Sequence, residues 1–303
     1  MNASQHILRL LVALLPLAGL SCSRGDTIVV GAKAFTEGYI LGHMAVLVLR
    51  HDGFDVEEQF GLATTAMRSA LETGQIDLYY EYTGTAYTVY AKGTNQSVMT
   101  DSARVLDAVR RFDSTQHGLI WLAPIPFNDT YALLMRKDAS AREHLATLTD
   151  LASAINAGRD LTVGVDAEFY ERPDGWKALV ARYGFPERNV VKLDAGLIYD
   201  ALAAGRIDIG MGYSTDGQIA ALNLIALEDD RRFFPAYNPA AVVRAELLAR
   251  QPGVRASLER LNRIVTPEAI RALNAEVAMQ HHDPRKVAER WLREKGMLGP
   301  VSR

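Results

Sequence analysis

One unit is written twice along this chain, and that constrains its fold more than any other feature. "ALETGQIDLYYEYT" (Ala70 to Thr83) lines up with "ALAAGRIDIGMGYS" (Ala201 to Ser214). Both read Ala-Leu, then Gly-x-Ile-Asp, then a tyrosine five residues after the aspartate, then a hydroxyl residue. Upstream, "VVGAKAF" (Val29 to Phe35) resembles "TVGVDAEF" (Thr162 to Phe169), with one residue inserted. Two α/β lobes of similar design would produce this echo. So would the general likeness of helix-Gly-strand units.

The local patterns agree with α/β lobes. A buried strand is expected over Asp26 to Phe35, and a helix beginning at Thr36 as N-cap with Glu37 in its first turn. A strand (Phe54 to Phe60), a helix (Thr64 to Glu72) and a strand (Ile76 to Tyr80) follow. This alternation predicts a mainly parallel sheet with helices on both faces. After Tyr237 an all-helical tail is expected over Ala245–Arg250, Val254–Ile264, Thr266–Met279 and Asp283–Lys295. Thr266 with Pro267 and Asp283 with Pro284 are the start signals of its last two helices. The chain is expected to cross to a second lobe near Tyr131, to return near Tyr237 and to finish on the first. Lobe one is then 27–130 with 237–303, and lobe two is 131–236.

Composition narrows the function. The chain has 303 residues, 49% of them hydrophobic, and a formal net charge of only −3, so a full core is expected and nucleic acid is a poor partner. Residues 1–22 read as an export signal: Arg9 precedes "LLVALLPLAGL", an apolar run too short to span a bilayer. The mature chain is expected to be exported, a monomer, and free of cofactor and metal. The only cysteine, Cys22, follows that run at the position of a bacterial lipoprotein's lipidated cysteine. Gly19-Leu20-Ser21 departs from the lipoprotein pattern, with Leu20 and Gly19 interchanged. The alternative is a soluble periplasmic protein cut nearby.

Ligands of open α/β sheets bind beyond the carboxyl ends of the strands. Tyr82 and Tyr213 fall at matching strand ends, one per lobe, and Tyr131 and Tyr237 fall at the crossings. Electron-rich ring faces attract a cation, each contributing roughly 0.5 to 2 kcal/mol. A quaternary ammonium suits them because its methyls need no hydrogen-bond partner. Asp129 would add a negative charge, pointing the same way as Tyr131 if that segment is a strand. Lys33, Arg172 and the hydroxyl of Thr85 could meet an anion near helix N-termini. Each residue also has a plainer reading. The tyrosines could be half-buried packing and Lys33 a solvated loop lysine, while Arg172 could pair with Glu171 or Asp174.

Several segments in order carry a family resemblance: "GAKAFTEGYILG", "GQIDLYYEYTGTA", "FNDTYALLMRKD", "DAEFYERPDG", "GYSTDGQIAALNLIALEDDRRFFPAY" and "DPRKVAERWLREKG". From about Thr27 to Leu298 the chain resembles the substrate-binding proteins of ABC importers for glycine betaine, carnitine and choline. The resemblance implies a two-lobed periplasmic-binding fold of type II that closes on its ligand and delivers it to a membrane permease. It implies an aromatic box of Tyr82, Tyr131, Tyr213 and Tyr237 with Asp129 beside the ammonium. Lys33, Thr85 and Arg172 match the positions that hold a betaine's carboxylate. Some choline-binding relatives lack the basic residue at position 33, so its presence favours a betaine. Tyr80, where relatives often have proline, is a departure expected at the cleft rim.

The rivals are an exported hydrolase and a sensor lobe that signals instead of transporting. The hydrolase lacks support: there is no Gly-x-Ser-x-Gly elbow and no His-Glu-x-x-His motif. His281 and His282 are adjacent and do not share a helix face. An ATPase and a permease encoded alongside would favour transport over sensing.

Overall fold

The computed structural model describes residues 26–299; the export segment and Cys22 lie outside them. The chain builds two five-stranded sheets with helices packed on their faces. The first holds β1 (Ile28–Lys33), β2 (Val56–Leu62), β3 (Leu78–Tyr82), β4 (Leu119–Trp121) and β10 (Pro239–Arg244), in the order β2-β1-β3-β10-β4. The second holds β5 (Tyr131–Arg136), β6 (Val163–Val165), β7 (Val190–Lys192), β8 (Ile209–Tyr213) and β9 (Leu224–Ala226), in the order β7-β6-β8-β5-β9.

The two orders are the same pattern. In each sheet three strands pair in parallel, and the strand that has just crossed from the other sheet enters antiparallel beside them. β4 and β9 are antiparallel to that crossing strand, so they run with the parallel set. Four strands of each sheet therefore share a direction and one opposes them. The crossings run between Trp121 and Tyr131 and between Ala226 and Pro239.

The repeated Gly-x-Ile-Asp has a structural job in both sheets. Gly74 and Gly205 have φ of +74° and +68°, the left-handed turn that lets the chain leave a helix for a strand. The aspartate then locks the first strand. Asp77 Oδ2 accepts from the Val29 amide at 2.9 Å while its own N–H donates to Val29. Asp208 makes the same pair of bonds with Thr162. The crossing strands complete the symmetry. Arg244 at the end of β10 donates to the Leu71 carbonyl, and Arg136 at the end of β5 donates to the Leu202 carbonyl. Each guanidinium thus satisfies the orphan carbonyls of the helix before the repeated strand.

Boundaries moved where local bonding outweighed pattern. The helix Thr36–His51 starts with Phe35 as N-cap, an extended residue making no side-chain cap bond, so Thr36 is inside the helix. The third strand begins at Leu78, not Ile76, because the amides of Gln75 and Ile76 still bond back to Ala70 at the helix end. The second strand is likewise displaced, to Val56–Leu62. The tail behaves as its caps dictate. Thr266 and Asp283 accept from backbone amides of the helices Pro267–Gln280 and Pro284–Glu294, each with proline in the first turn. Val254, Leu258, Leu261, Ile270, Leu273, Val287, Trp291 and Leu292 from the tail share one buried cluster with the first sheet and the helix Thr36–His51. Tyr80 is in that cluster, donating its hydroxyl to Asn262 at 2.6 Å. It anchors the tail to the sheet and does not reach the cleft rim.

Candidate functional site

The paired architecture brings the strand ends face to face. β3 ends at Tyr82 and β8 ends at Tyr213, as the repeat requires. Tyr131 opens β5 and stands opposite Tyr213 in register, while Tyr82 stands opposite Pro239, two residues beyond Tyr237. Between the sheets lies a cavity of about 180 Å³. All eight residues singled out in the sequence line it: Lys33, Tyr82, Thr85, Asp129, Tyr131, Arg172, Tyr213 and Tyr237. Asp129 arrives there from the connection before β5, not from a strand, its amide donating to the Tyr237 carbonyl.

The rings form a continuous wall. Tyr82 lies 5.8 Å from Phe35, Phe35 5.8 Å from Tyr213, Tyr213 5.1 Å from Tyr131, and Tyr131 5.6 Å from Tyr237 in an edge-on contact. These are the separations of packed aromatic pairs. Phe35 was invisible to the strand-end argument, since it sits in the loop before a helix; its place beside Lys33 was the available signal. Gly84 also belongs here. A β-carbon on it would come within 2.6 Å of the Tyr237 ring, so only glycine leaves that ring its position.

Two of the lining residues are basic, Lys33 and Arg172, and both carry a buried counter-ion. Lys33 is 6% exposed and donates to Glu81 at 2.7 Å. Glu81 also accepts from the hydroxyls of Tyr79 and Tyr90 and from the Tyr82 amide. Burial works against its ionisation, but Lys33 and these donors hold it below the usual carboxylate range. Arg172 clasps Asp174 with two bonds of 2.8 and 2.7 Å, and donates to Thr85 at 3.2 Å and to Glu168 at 3.2 Å. Asp174 accepts further from Tyr237 and Thr88. Burial acts to raise its pKa, yet Arg172 and the hydroxyls keep it low. Lys33 is therefore no solvated loop lysine, and neither cation brings a net charge to the cavity.

A second group about the cavity is acidic. Asp129 is 5% exposed and accepts from the Thr215 hydroxyl at 2.7 Å. The same hydroxyl lies 2.8 Å from Glu37, which also receives Tyr82 and Asn274. Burial, with Glu37 and Asp216 close by, pushes Asp129 well above the ordinary range. Burial pushes Glu37 up to about 7 against its three donors. No cluster of metal-ligating side chains occurs among the described residues.

A sequence model of the substrate-binding domain of ABC-type glycine betaine transport systems matches residues 26–294. The chain belongs to that family. It is 35% identical to a glycine-betaine-binding protein of Pseudomonas aeruginosa, over 98% of this chain and 96% of the relative. It is 32% identical to the carnitine transport binding protein OpuCC of Listeria monocytogenes, over 92% of this chain and 90% of the relative. A crystal structure titled as a glycine betaine/carnitine/choline ABC transporter superposes with a TM-score of 0.74 at 29% identity, covering 89% of this chain and 99% of that one. The fold is accordingly the two-lobed, type II periplasmic-binding fold that the doubled strand order describes. For a substrate-binding domain of this family, the interlobe cavity is where the chemistry of recognition has to be read.

Proposed function

We propose that this protein captures a quaternary ammonium solute of the glycine betaine type outside the cytoplasm and delivers it to an ABC permease. The observation that carries the reading is the cavity where four tyrosines from both sheets meet, lined as well by Asp129 and by the basic donors Lys33 and Arg172. Tyr82, Tyr131, Tyr213 and Tyr237, joined by Phe35, would enclose the methylated ammonium, with Asp129 beside it. Such faces each contribute roughly 0.5 to 2 kcal/mol, more where water is excluded. Lys33, Thr85 and Arg172 would bind the carboxylate through the N–H and O–H groups their internal partners leave over. Lys33 has three N–H donors and gives one to Glu81; Arg172 has five and makes four bonds, to Asp174, Glu168 and Thr85.

The lobes are 27–130 with 237–303, and 131–236, hinged at the two crossings. A ligand touching both favours the closed state, so binding shifts an open–closed equilibrium. The permease reads the closed form, and no covalent bond changes. The protein acts as a monomer in the periplasm or held at the membrane through Cys22. The names of the Pseudomonas and Listeria relatives support the ligand class. A crystal structure of the complex with glycine betaine tests the reading. It places the trimethylammonium against the four rings and the carboxylate at Lys33, Thr85 and Arg172. Density for the ligand anywhere else contradicts it.

A further inference from the structure

The acidic pair Glu37 and Asp129 makes an arrangement that hydrogen-bond counting does not close. Thr215, from the loop after β8, sits between two carboxyl groups: 2.8 Å to Glu37 Oε2 and 2.7 Å to Asp129 Oδ1. All three side chains are at most 5% exposed. A hydroxyl has one hydrogen. If both acids were ionised, one of the two short contacts would set an oxygen lone pair against a carboxylate. One additional proton closes the chain. Either acid can carry it: the protonated carboxyl donates to Thr215 Oγ1, and Thr215 donates to the other carboxylate. Glu37 accepts besides from the Tyr82 hydroxyl at 2.6 Å and from Asn274 at 3.1 Å. Every contact is then donor to acceptor, and the pair carries one proton and one negative charge, with Asp129 the member that lines the cavity.

The contact also joins the two sheets. Glu37 is in the first turn of the helix Thr36–His51, after β1 of the first sheet, and Thr215 follows β8 of the second. Asn274, on the tail helix Pro267–Gln280, donates both to Glu37 and to the Thr215 carbonyl at 3.1 Å. Separating the lobes would break the bridge and return both acids to water.

We propose that Glu37, Thr215 and Asp129 form a proton-holding latch: the lobes close on a cationic ligand with uptake of one proton, which the two acids share while the pair keeps one negative charge toward the cation. The ligand class rests on the function proposed above; the latch itself rests on the bridge. Burial and Asp216 oppose ionisation of Glu37, and Tyr82, Thr215 and Asn274 favour it; burial, Glu37 and Asp216 oppose that of Asp129. Asp216 is itself raised to about 6 by burial, against donation from Tyr199 and the Tyr213 amide. Lys33 lies over the Tyr82 ring but is neutralised by Glu81.

The sign follows from linkage. In open lobes Thr215 is withdrawn and water reaches Glu37, so its pKa falls toward the ordinary carboxylate value of about 4.3. In closed lobes it is raised to about 7. Closure is therefore fully favoured at low pH and loses that advantage as pH rises through the closed-state pKa. Ligand affinity falls up to about tenfold per pH unit between those limits and levels off above them.

Calorimetric titration with glycine betaine near pH 6, in two buffers of different ionisation enthalpy, counts the protons. The expected result is about one proton taken up per ligand. Glu37→Gln and Asp129→Asn, each leaving a single carboxyl at the bridge, lose the uptake and flatten the pH profile. A merely structural role would lower affinity equally at all pH. Equal apparent heats in both buffers for the wild type, or uptake retained in both variants, overturns the latch. Small-angle scattering of the ligand-free protein judges it without a ligand. The wild type expands as pH is raised from about 5 to about 8 and Glu37→Gln does not; dimensions indifferent to pH in the wild type overturn it. If none of the betaines binds, the functional reading fails and the scattering still decides the latch.

Discussion

The basic and the acidic residues about the cavity handle buried charge in opposite ways. Lys33 and Arg172 each have a carboxylate of their own, Glu81 and Asp174. Glu37 and Asp129 share only a hydroxyl. The basic pair is thus electrically balanced, and on the function proposed above it would read a ligand's carboxylate only through the directions of its remaining donors. The acidic pair carries surplus negative charge beside the ring faces and would draw in a cation whatever the ligand's other group. Affinity for the methylated head would then belong to the acids and rings, and discrimination between a betaine and an alcohol such as choline to the basic pair.

The largest effect that could break this division is at Arg172. Arg172→Ala leaves Asp174, 1% exposed, as a buried carboxylate without its partner. A loss of about 3–5 kcal/mol in stability is expected, read by denaturant unfolding. In the fraction that folds, glycine betaine affinity falls more than choline affinity. Equal losses for the two ligands would remove the arginine from carboxylate reading. Next come the rings: Tyr82→Ala and Tyr213→Ala each weaken both ligands by tenfold or more, about 1.4 kcal/mol. An effect on betaine alone would move the rings to the wrong side of that division. The smallest is Gly84→Ala. The added methyl meets the Tyr237 ring, and a several-fold loss of affinity for both ligands is expected, with a stability cost of about 1 kcal/mol. Unchanged binding would show that Tyr237 need not hold its place.

How much of this was legible in the sequence differs between the same two regions. Tyr82 and Tyr213 could be read because the repeat fixes their register, whereas Tyr131 and Tyr237 were placed by the expected crossings between lobes and by the family resemblance. A tyrosine five residues beyond each Gly-x-Ile-Asp must end its strand, and strand ends converge between lobes. Helix starts were legible where proline and a capping side chain act together, at Thr266 and Asp283, and not at Thr36, where an extended Phe35 does the work without a side-chain bond. The pairing of Arg172 with Asp174, two residues on, was legible as the plainer reading of that arginine; the long-range charge contacts were not. Lys33 and Glu81 are 48 positions apart, and Glu37 and Thr215 are 178 apart, so no local periodicity links them. Glu37 reads locally as an ordinary first-turn acid favoured by the helix dipole; only the facing lobe makes it a member of a buried pair. Tyr80 failed for the same reason. Its partner Asn262 lies 182 positions away, in the tail.

The account stands on the claim that the ring wall and its acids bind a methylated cation. Isothermal titration of the purified protein with glycine betaine, carnitine and choline tests this most directly. Saturable one-to-one binding of at least one of the three, lost with both Tyr82→Ala and Tyr213→Ala, is the predicted result. Absence of binding heat across all three, or binding that neither tyrosine substitution weakens, would contradict it.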